Sequence, residues 1–345
     1  MSTTAPRSLA GLHPAYFAMV MATGIVSIAS RLLGLAAIAA GLYWLNLAFY
    51  GALWVLTILR ILRHPRAVLA DLLHHGRAVG FFTIVPATCM LGNQCLLIGE
   101  NWRAALGLWI AGVLLLCTLN YSIFMILTVK AVKPPLAEGL NGGWLLASVA
   151  IQSTSVLGTQ LAPHLEPYVH LMLFCSLVTW LAGFMLYIWI ISLIFYRYTF
   201  FPLSPLDLSP PYWVNMGAVA ISTLAGTLLV ASAPLSPIVM EILPFVKGLT
   251  LLSWATATWW IPMLLILGIW RHVYSRFPLR YDPLYWGAVF PLGMYTVCTF
   301  RLATAIEAPF LQIIPRVAVY VALGAWGAAF LGLVVSLLRR ATRPG

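Results

Sequence analysis

The chain has 345 residues, of which 62% are hydrophobic and only 8% are charged. Soluble domains carry about 25% charged residues, so this composition excludes a soluble globular protein and indicates a polytopic membrane protein. The formal net charge of +11 would suit a nucleic-acid partner, but its distribution along the chain indicates lipid headgroups instead, and we expect no nucleic-acid partner.

Ten segments are long and apolar enough to cross a bilayer, for which about 20 residues are needed. They are roughly 14–30, 42–61, 79–98, 104–129, 144–162, 168–196, 213–232, 242–270, 283–303 and 311–338. The first has no small-residue cleavage site, so we interpret it as a retained helix and not as a signal peptide. The predicted organisation is a short cytoplasmic tail at 1–12, a single ten-helix transmembrane domain at 13–338 and a basic cytoplasmic tail at 339–345.

Basic residues predict the orientation of these spans. With the N-terminus inside, 14 of the 19 Lys and Arg residues fall on the cytoplasmic side. They are Arg7, Arg60, Arg63, Arg66, Arg77, Lys130, Lys133, Arg197, Arg271, Arg276, Arg280, Arg339, Arg340 and Arg343. Such an asymmetry is the positive-inside signal, and it predicts a multi-pass protein of the plasma (inner) membrane with both termini in the cytoplasm.

Odd and even segments differ in composition. The odd segments carry nearly twice the density of Ser, Thr, Asn and Gln, whereas the even segments are longer and hold most of the Trp residues. Long, Trp-rich helices suit contact with lipid, and short polar helices suit a packed or wet interior. We therefore predict an all-α protein of five helical hairpins around a central pore, with odd helices inside and even helices outside. The sequence shows no clear internal repeat, so this arrangement rests on the asymmetry alone.

Polar residues recur at helical spacing on several odd segments, and they are the predicted pore lining. In the fifth segment Ser148, Gln152, Ser155 and Thr159 share one face. Further candidates for the lining lie on the other odd segments: Thr23, Ser27, Thr83, Ser222, Gly226 and Met294. A weakly polar wall would let an ion pass without holding it. The alternative is that these side chains bond to backbone and permit close helix packing.

The ninth segment places a large ring and a cation on one face. Phe290 and Arg301 are eleven residues apart, which brings them within about 20° of each other around a helix. Pro291 removes a backbone donor beside the ring and favours a kink. Arg301 would attract anions at the outer mouth, or else it would extend to the interface or pair with Glu307. Phe290 could equally be a packing residue.

The N-terminal segment HPAYFAMVMATGIVSIAS, with Pro14, Phe17, Met21, Thr23 and Gly24, resembles the first helix of the tellurite-resistance/dicarboxylate transporter family. The segment WGAVFPLG resembles the tryptophan and Phe-Pro stretch of that family's ninth helix. The family includes slow-type anion channels and malate and sulfite permeases. The resemblance implies five hairpins around a pore, a homotrimer, passage of small inorganic or organic anions, and a gate at Phe290 and Pro291.

The sequence is compatible with two transport mechanisms. A gated channel needs a pore and a plug, whereas a proton-coupled permease for malate or sulfite normally needs a titratable group in the pathway. No Asp, Glu or His lies convincingly at mid-membrane, which favours the channel mechanism. We see no Ser/His/Asp set, no metal-ligand spacing and no CxxC pair, so we expect neither a membrane-embedded enzyme nor a cofactor or metal.

Overall fold

A computed structural model describes residues 9–279 and 281–341. These residues are helical with no β-strand, and ten of their helices have 14 or more residues. The ten are α1 (Ala18–Leu32), α2 (Ala36–Arg63), α3 (Ile84–Leu97), α4 (Trp102–Val129), α5 (Leu146–Leu161), α6 (Val169–Phe200), α7 (Val214–Ser232), α8 (Leu243–Ile269), α9 (Trp286–Ala305) and α10 (Ile313–Ala341). The all-α membrane fold is therefore confirmed. In the structure α2 begins at Ala36, six residues before the predicted span.

The odd-numbered helices form an inner layer and the even-numbered helices an outer one. Between 72% and 94% of the span residues are buried for α1, α3, α5 and α7, against 11% to 33% for the five outer helices. Most of α9 is buried as well. The outer helices expose large apolar side chains such as Trp44, Trp189 and Trp259, which suits a surface in contact with lipid acyl chains.

The inner helices make a closed ring. In ring order, α1 contacts α3, α3 contacts α5, α5 contacts α7, α7 contacts α9, and α9 contacts α1. Each outer helix packs on the inner helix that precedes it in the chain, so the fold consists of five helical hairpins. At the first hairpin the turn is made by Gly34, whose φ of 84° is the left-handed conformation that glycine accepts without strain at a helix end.

Nine helices of the described residues are long and apolar enough to cross a membrane, and α9 is not among them. Its 20 residues include Arg301 and Pro291, which lower its mean hydropathy. Its place is nevertheless inside the protein, between α1 and α7. A helix surrounded by protein needs less apolar side chain than one facing lipid.

Each inner helix begins with a short 3-10 turn, and the five turns touch one another in a closed ring that we call the collar. The collar consists of Pro14–Phe17, Val79–Thr83, Gly142–Leu145, Pro210–Trp213 and Pro283–Tyr285. A polar side chain accepts a backbone N–H at the start of three turns: His13 from Ala15, Asn141 from Gly143 and Asp282 from Leu284. The start of the inner helices is therefore a structural repeat, which is not clear in the sequence alone.

The repeat is short and degenerate. The stretches HPAYF, NGGWL, SPPYW and DPLYW each run from a polar residue through Pro or Gly to an aromatic residue. The copy before α3, VGFFT, lacks both the leading polar residue and the proline.

A basic residue near the C-terminal end of four outer helices donates a hydrogen bond to a carbonyl just before the inner helix of the same hairpin. We call these contacts the hairpin straps. They join Arg60 to Ala10 (2.9 Å), Lys130 to Leu73 (2.8 Å), Arg197 to Ala137 (2.8 Å) and Arg271 to Leu208. The corresponding side chains of the fifth hairpin, Arg280 and Arg340, lie outside the described residues, as do Arg7 and Arg343.

The first strap belongs to a charged cluster that joins two hairpins. Asp71 accepts from Arg60 at 2.6 Å and from Arg77 at 2.5 Å. Burial alone would raise the pKa of the Asp71 carboxyl, but the hydrogen bonds from Arg77 and Arg60 outweigh it and hold that pKa below its usual value. Burial, with Arg77 nearby, lowers the pKa of His13 to about 4. At neutral pH Asp71 is therefore ionised and His13 is neutral.

Candidate functional site

A small, partly open cavity lies where all five inner helices meet, and we call it the vestibule. Its lining consists of Ile25, Ile28 and Leu32 from α1, Met90, Asn93 and Leu97 from α3, Val156 and Gln160 from α5, Leu224 and Leu228 from α7, and Val297 and Arg301 from α9. Because every inner helix contributes, the vestibule lies on the axis of the ring.

The lining also gives the direction of the inner helices. Each helix contributes residues from its C-terminal half, while the 3-10 turns at the N-termini meet in the collar at the other end. The five inner helices therefore run parallel, from the collar to the vestibule. An axial path between the two ends would be walled by side chains that recur every three or four residues on each helix.

The vestibule wall is apolar except for Asn93, Gln160 and Arg301. Arg301 is half-buried, and its guanidinium group makes neither a hydrogen bond nor an ion pair among the described residues. Glu307, the carboxylate that the sequence offered as a partner, is exposed and takes part in none of the ion pairs of the described residues. A cation that is partly removed from water and has no counter-charge favours an anion beside it.

Asn93 and Gln160 are not among the residues predicted from the sequence. The Gln160 side-chain amide donates to Oδ1 of Asn93, and Nδ2 of Asn93 donates to the carbonyl oxygen of Cys89 at 2.8 Å. Neither residue belongs to a polar stripe, because the other axis-facing positions of α3 and α5 in the vestibule are Met90, Leu97 and Val156. A single amide on an otherwise apolar face gives no periodic signal in the sequence.

Phe290 lies deeper in the ring on the same helix as Arg301. Phe290, Met294, Val297 and Arg301 fall within about 60° of arc on α9, and the last two line the vestibule. Phe290 is only 1% exposed and Met294 is fully buried. Val297 lines the vestibule and is seven residues from Phe290. The phenyl group of Phe290 is therefore attached roughly 10 Å from the level of Val297 along the axis of α9.

Pro291 lies within α9, which continues through it. It packs on Gly217 of α7, where a Cβ atom would lie 2.7 Å from Pro291 Cγ. Gly293, two residues further, is the close approach to α1, because a Cβ atom there would lie 2.7 Å from Cγ2 of Ile25. The backbone around Phe290 is thus held against both neighbours in the ring.

The polar stripe of α5 faces the outer layer. Ser148 donates to the carbonyl oxygen of Gly183 at 2.7 Å, Gln152 to that of Trp180 at 2.9 Å, and Ser155 to that of Ser176 at 2.7 Å. All three acceptors belong to α6. Thr159 donates to the carbonyl oxygen of Ser155 in its own helix at 2.8 Å. These contacts fit the packing alternative, and a pore-lining role of the stripe stays a prediction.

Thr23 and Ser27 of α1 are also turned away from the axis. Each is two residues from Ile25, which lines the vestibule, and so lies about 160° round the helix from it. Thr23 accepts a hydrogen bond from the indole of Trp326 on α10 at 3.0 Å, and Ser27 donates to the carbonyl oxygen of Ala39 on α2 at 2.8 Å. Their contacts also fit the packing alternative, and their assignment to a pore lining stays a prediction.

Three other predicted lining residues, Thr83, Ser222 and Gly226, also make packing contacts. Thr83 donates within the collar to the carbonyl oxygen of Gly80 at 2.7 Å. Ser222 donates to the carbonyl oxygen of Ala218 in its own helix at 3.2 Å. Gly226 faces the outer layer, because a Cβ atom there would collide with Oγ1 of Thr250 on α8. In an apolar environment such hydroxyls bond to backbone and let helices approach closely.

A ring of parallel helices inside a ring of apolar ones, with a cavity on its axis, defines a multi-pass membrane protein of the transporter and channel type. The chain matches the family model SLAC1, described as voltage-dependent anion channel, over residues 11–334, and it belongs to this family. The family resemblance of α1 and α9 is thereby confirmed.

Characterised and uncharacterised relatives agree with this membership. An uncharacterized membrane protein of Mycobacterium tuberculosis is 41% identical over 160 residues, which cover 46% of this chain and 81% of the relative. An uncharacterized transporter of Methanocaldococcus jannaschii is 26% identical over 82% of this chain and 81% of its own length. The sulfite efflux pump SSU1 of Arthroderma benhamiae is 23% identical over 89% of this chain and 86% of its own length.

Proposed function

We propose that the chain conducts small anions across the membrane along the axis of the inner ring, with Phe290 closing the path and Arg301 concentrating anions in the vestibule. The observation that carries this proposal is Arg301, a half-buried cation in an axial cavity whose lining includes no carboxylate. A site that carries charge of one sign and is surrounded by low-dielectric walls raises the local concentration of ions of the opposite charge.

Phe290 supplies the occlusion in this mechanism. Its ring is buried on the arc of α9 that faces the vestibule two to three turns away. A benzyl group on the axis fills the cross-section and removes water from an ion, and dewetting at an apolar constriction is enough to stop conduction. Opening would require the ring to move aside, and Met294 on the same arc would then line the passage.

A proton-coupled permease for sulfite or a dicarboxylate is the second candidate, and the relatives named as sulfite efflux pumps favour it. Against it stands the vestibule lining, which contains no Asp, Glu or His to carry a proton. We favour channel-like transport over a carrier, and transport over catalysis. A homotrimer, as the family resemblance implies, is part of the proposal.

The direct test is flux into liposomes that contain the purified protein, with chloride, nitrate, sulfite and malate supplied in turn, with and without a proton gradient. We expect flux of small anions that does not require the gradient. Flux of sulfite or malate alone, and only with a proton gradient, would establish the permease instead. Absence of flux for every anion in a folded protein would refute anion transport.

The proposed orientation puts the collar and the hairpin straps in the cytoplasm. Cysteine introduced at Lys133, which is exposed on the collar side, should react with membrane-impermeant reagents only after the cells are opened. Cysteine introduced at Glu241, exposed at the opposite end, should react in intact cells. The background protein should lack the exposed thiols of Cys117 and Cys175. The reverse labelling pattern would invert the orientation.

A further inference from the structure

An eight-residue helix, Pro65–Leu72, lies between α2 and the collar turn that precedes α3, and we call it the linking helix. Its Asp71 side chain is buried and accepts from Arg60 of α2 at 2.6 Å and from Arg77 at 2.5 Å. These two contacts hold the linking helix against the collar end of the first hairpin.

The outer side of this region combines apolar and basic residues. Leu62, in the last turn of α2, is 72% exposed, and Leu69 of the linking helix is 54% exposed. Arg63 and Arg66 are exposed as well. The 28 residues of α2 extend about 42 Å, which is the thickness of a bilayer with its headgroups, so the end of α2 reaches the headgroup layer. Exposed leucines beside exposed arginines are typical of a surface that lies in the membrane–water interface.

The charges of this region do not balance. Asp71 is the one carboxylate between residues 60 and 77, and Arg60 and Arg77 already engage it. Arg63 and Arg66 take part in none of the ion pairs of the described residues. The planar guanidinium group matches two oxygens of one phosphate group. A zwitterionic headgroup would bring a further cation to these arginines, whereas an acidic headgroup brings net negative charge.

A second small, partly open cavity lies beside the linking helix, and we call it the groove. Leu53, Thr57 and Ile61 of α2 line it over about 12 Å along the helix axis. Val68 of the linking helix and Phe81 of the collar also contribute, and most of the lining is apolar. Ile61 is exposed, and Thr57 and Val68 are partly exposed, so the groove can be entered from the membrane beside α2. This lining suits an unbranched apolar chain.

We propose that Arg63, Arg66 and the groove form a binding site for one acidic phospholipid, with its phosphate on the two arginines and part of one acyl chain in the groove. Arg63 and Arg66 lie in the chain between Ile61 and Val68, which both line the groove, so one lipid molecule can reach both parts. A free phosphate ion would meet the arginines and leave the groove empty. The inference is independent of the proposed function, because the site lies on the outside of the first hairpin and away from the axis.

The first test titrates the purified protein in detergent with phosphatidylglycerol or with phosphatidylcholine of the same acyl chains, and native mass spectrometry counts the retained lipids. We expect one phosphatidylglycerol to be retained at a concentration about fivefold lower than phosphatidylcholine. The variant Arg63→Gln/Arg66→Gln should need about tenfold more phosphatidylglycerol, the size expected when two arginines near an acidic lipid are lost. The control Lys133→Gln/Arg276→Gln removes two other exposed charges at the collar end and should retain the lipid as the parent does.

A substitution in the groove tests the acyl chain separately. Thr57→Trp places a large ring in the groove without a change of charge. It should weaken retention of phosphatidylglycerol by about tenfold, as the lost burial of two methylene groups predicts. If the melting temperature shows that Thr57→Trp does not fold, Ile61→Trp at the exposed edge of the groove decides instead. Inorganic phosphate added in excess should not displace the lipid from the parent protein.

The outcomes distinguish the two parts of the site. Equal retention of the two lipids by the parent, or equal retention of phosphatidylglycerol by the parent and by Arg63→Gln/Arg66→Gln, overturns the proposal. Undiminished retention in a folded groove variant overturns the placement of the acyl chain. Displacement by inorganic phosphate assigns the two arginines to a soluble anion. None of these measurements depends on anion flux, so each of these failures leaves the proposed function standing.

Discussion

Arg60, near the end of α2, donates from both Nε and Nη2 to the carbonyl oxygen of Ala10, fifty residues earlier in the chain. The bond closes the base of the first hairpin, because Ala10 precedes α1 and Arg60 ends the helix that packs on it. Three further hairpins have an equivalent strap. Basic residues on which the predicted membrane orientation rests thus also bond the outer helices to the chain just before the collar.

The straps predict that buried arginines at the collar end matter for stability and that exposed ones do not. Arg197→Met should lower the thermal stability measurably, because it leaves the Ala137 carbonyl without its donor and removes an ion pair with Asp207. The loss of hydrogen bonds to a charged group is about 1.5–3 kcal/mol. Arg66→Met, at an exposed position without a partner among the described residues, is the control. Equal melting temperatures for the two variants, measured in detergent, would refute the role of the strap.

Accessibility should separate the two faces of α5. Cysteine at Gln160 should react with small water-soluble thiol reagents, because this position lines the vestibule. Cysteine at Ser148 or Ser155 should not react, because these side chains bond to carbonyl groups of α6. The measurement is the rate of modification in membranes from which the exposed Cys117 and Cys175 have been removed. Rapid modification at Ser148 and Ser155 would restore the pore-lining interpretation of the stripe.

Shortening the side chain of Phe290 should open the path. Phe290→Ala removes the ring and should raise basal anion flux severalfold or more, and Phe290→Leu should lie between alanine and the parent because it retains part of the apolar bulk. Phe300→Ala is the control, since Phe300 lies about 80° round α9 from Phe290. Flux into liposomes at matched protein amounts is the readout. A folded Phe290→Ala variant that conducts no more than the parent would remove Phe290 from the mechanism.

The contact between α7 and α9 should not tolerate a methyl group at Gly217. In Gly217→Ala the new Cβ would lie 2.7 Å from Cγ and 3.2 Å from Cα of Pro291, so the two helices must separate. Overpacking of this kind costs about 1–3 kcal/mol. Gly107→Ala on α4 meets nothing within 4 Å and should be neutral or slightly stabilising, as alanine is in a helix. Melting temperatures that fall equally for both variants would contradict this packing.

Composition and charge were enough to predict the layered fold, because the bilayer imposes different demands on buried and lipid-facing helices. The polar stripe of α5 was real, but periodicity identifies a shared face without saying what that face meets. In lipid, the backbone of α6 is as good a partner for Ser148 and Ser155 as water in a pore. Sequence analysis therefore placed the polar face of α5 toward the axis, whereas the residues of α5 that line the vestibule are Val156 and Gln160.

The site was predicted in part for a related reason. Arg301 could be identified because a cation inside an apolar segment is rare. Asn93 and Gln160 could not, because they come together only when α3 and α5 pack side by side, 67 residues apart in the chain. The collar repeat escaped detection because only a few residues recur in each copy, and the copy before α3 has no proline.

The parallel direction of the five inner helices makes the two ends of the axis electrically different. Each helix carries a partial charge of about +0.5 at its N-terminus and about −0.5 at its C-terminus. The N-termini gather at the collar and the carbonyl ends gather around the vestibule. An anion is therefore favoured by the backbone dipoles at the collar and opposed by them at the vestibule, where the single positive charge of Arg301 offsets part of that opposition. The two ends therefore differ in charge even with Arg301 present, and neutralising this side chain would increase the difference. If the protein conducts anions as proposed, we expect the current through that variant to depend more strongly on the sign of the applied voltage.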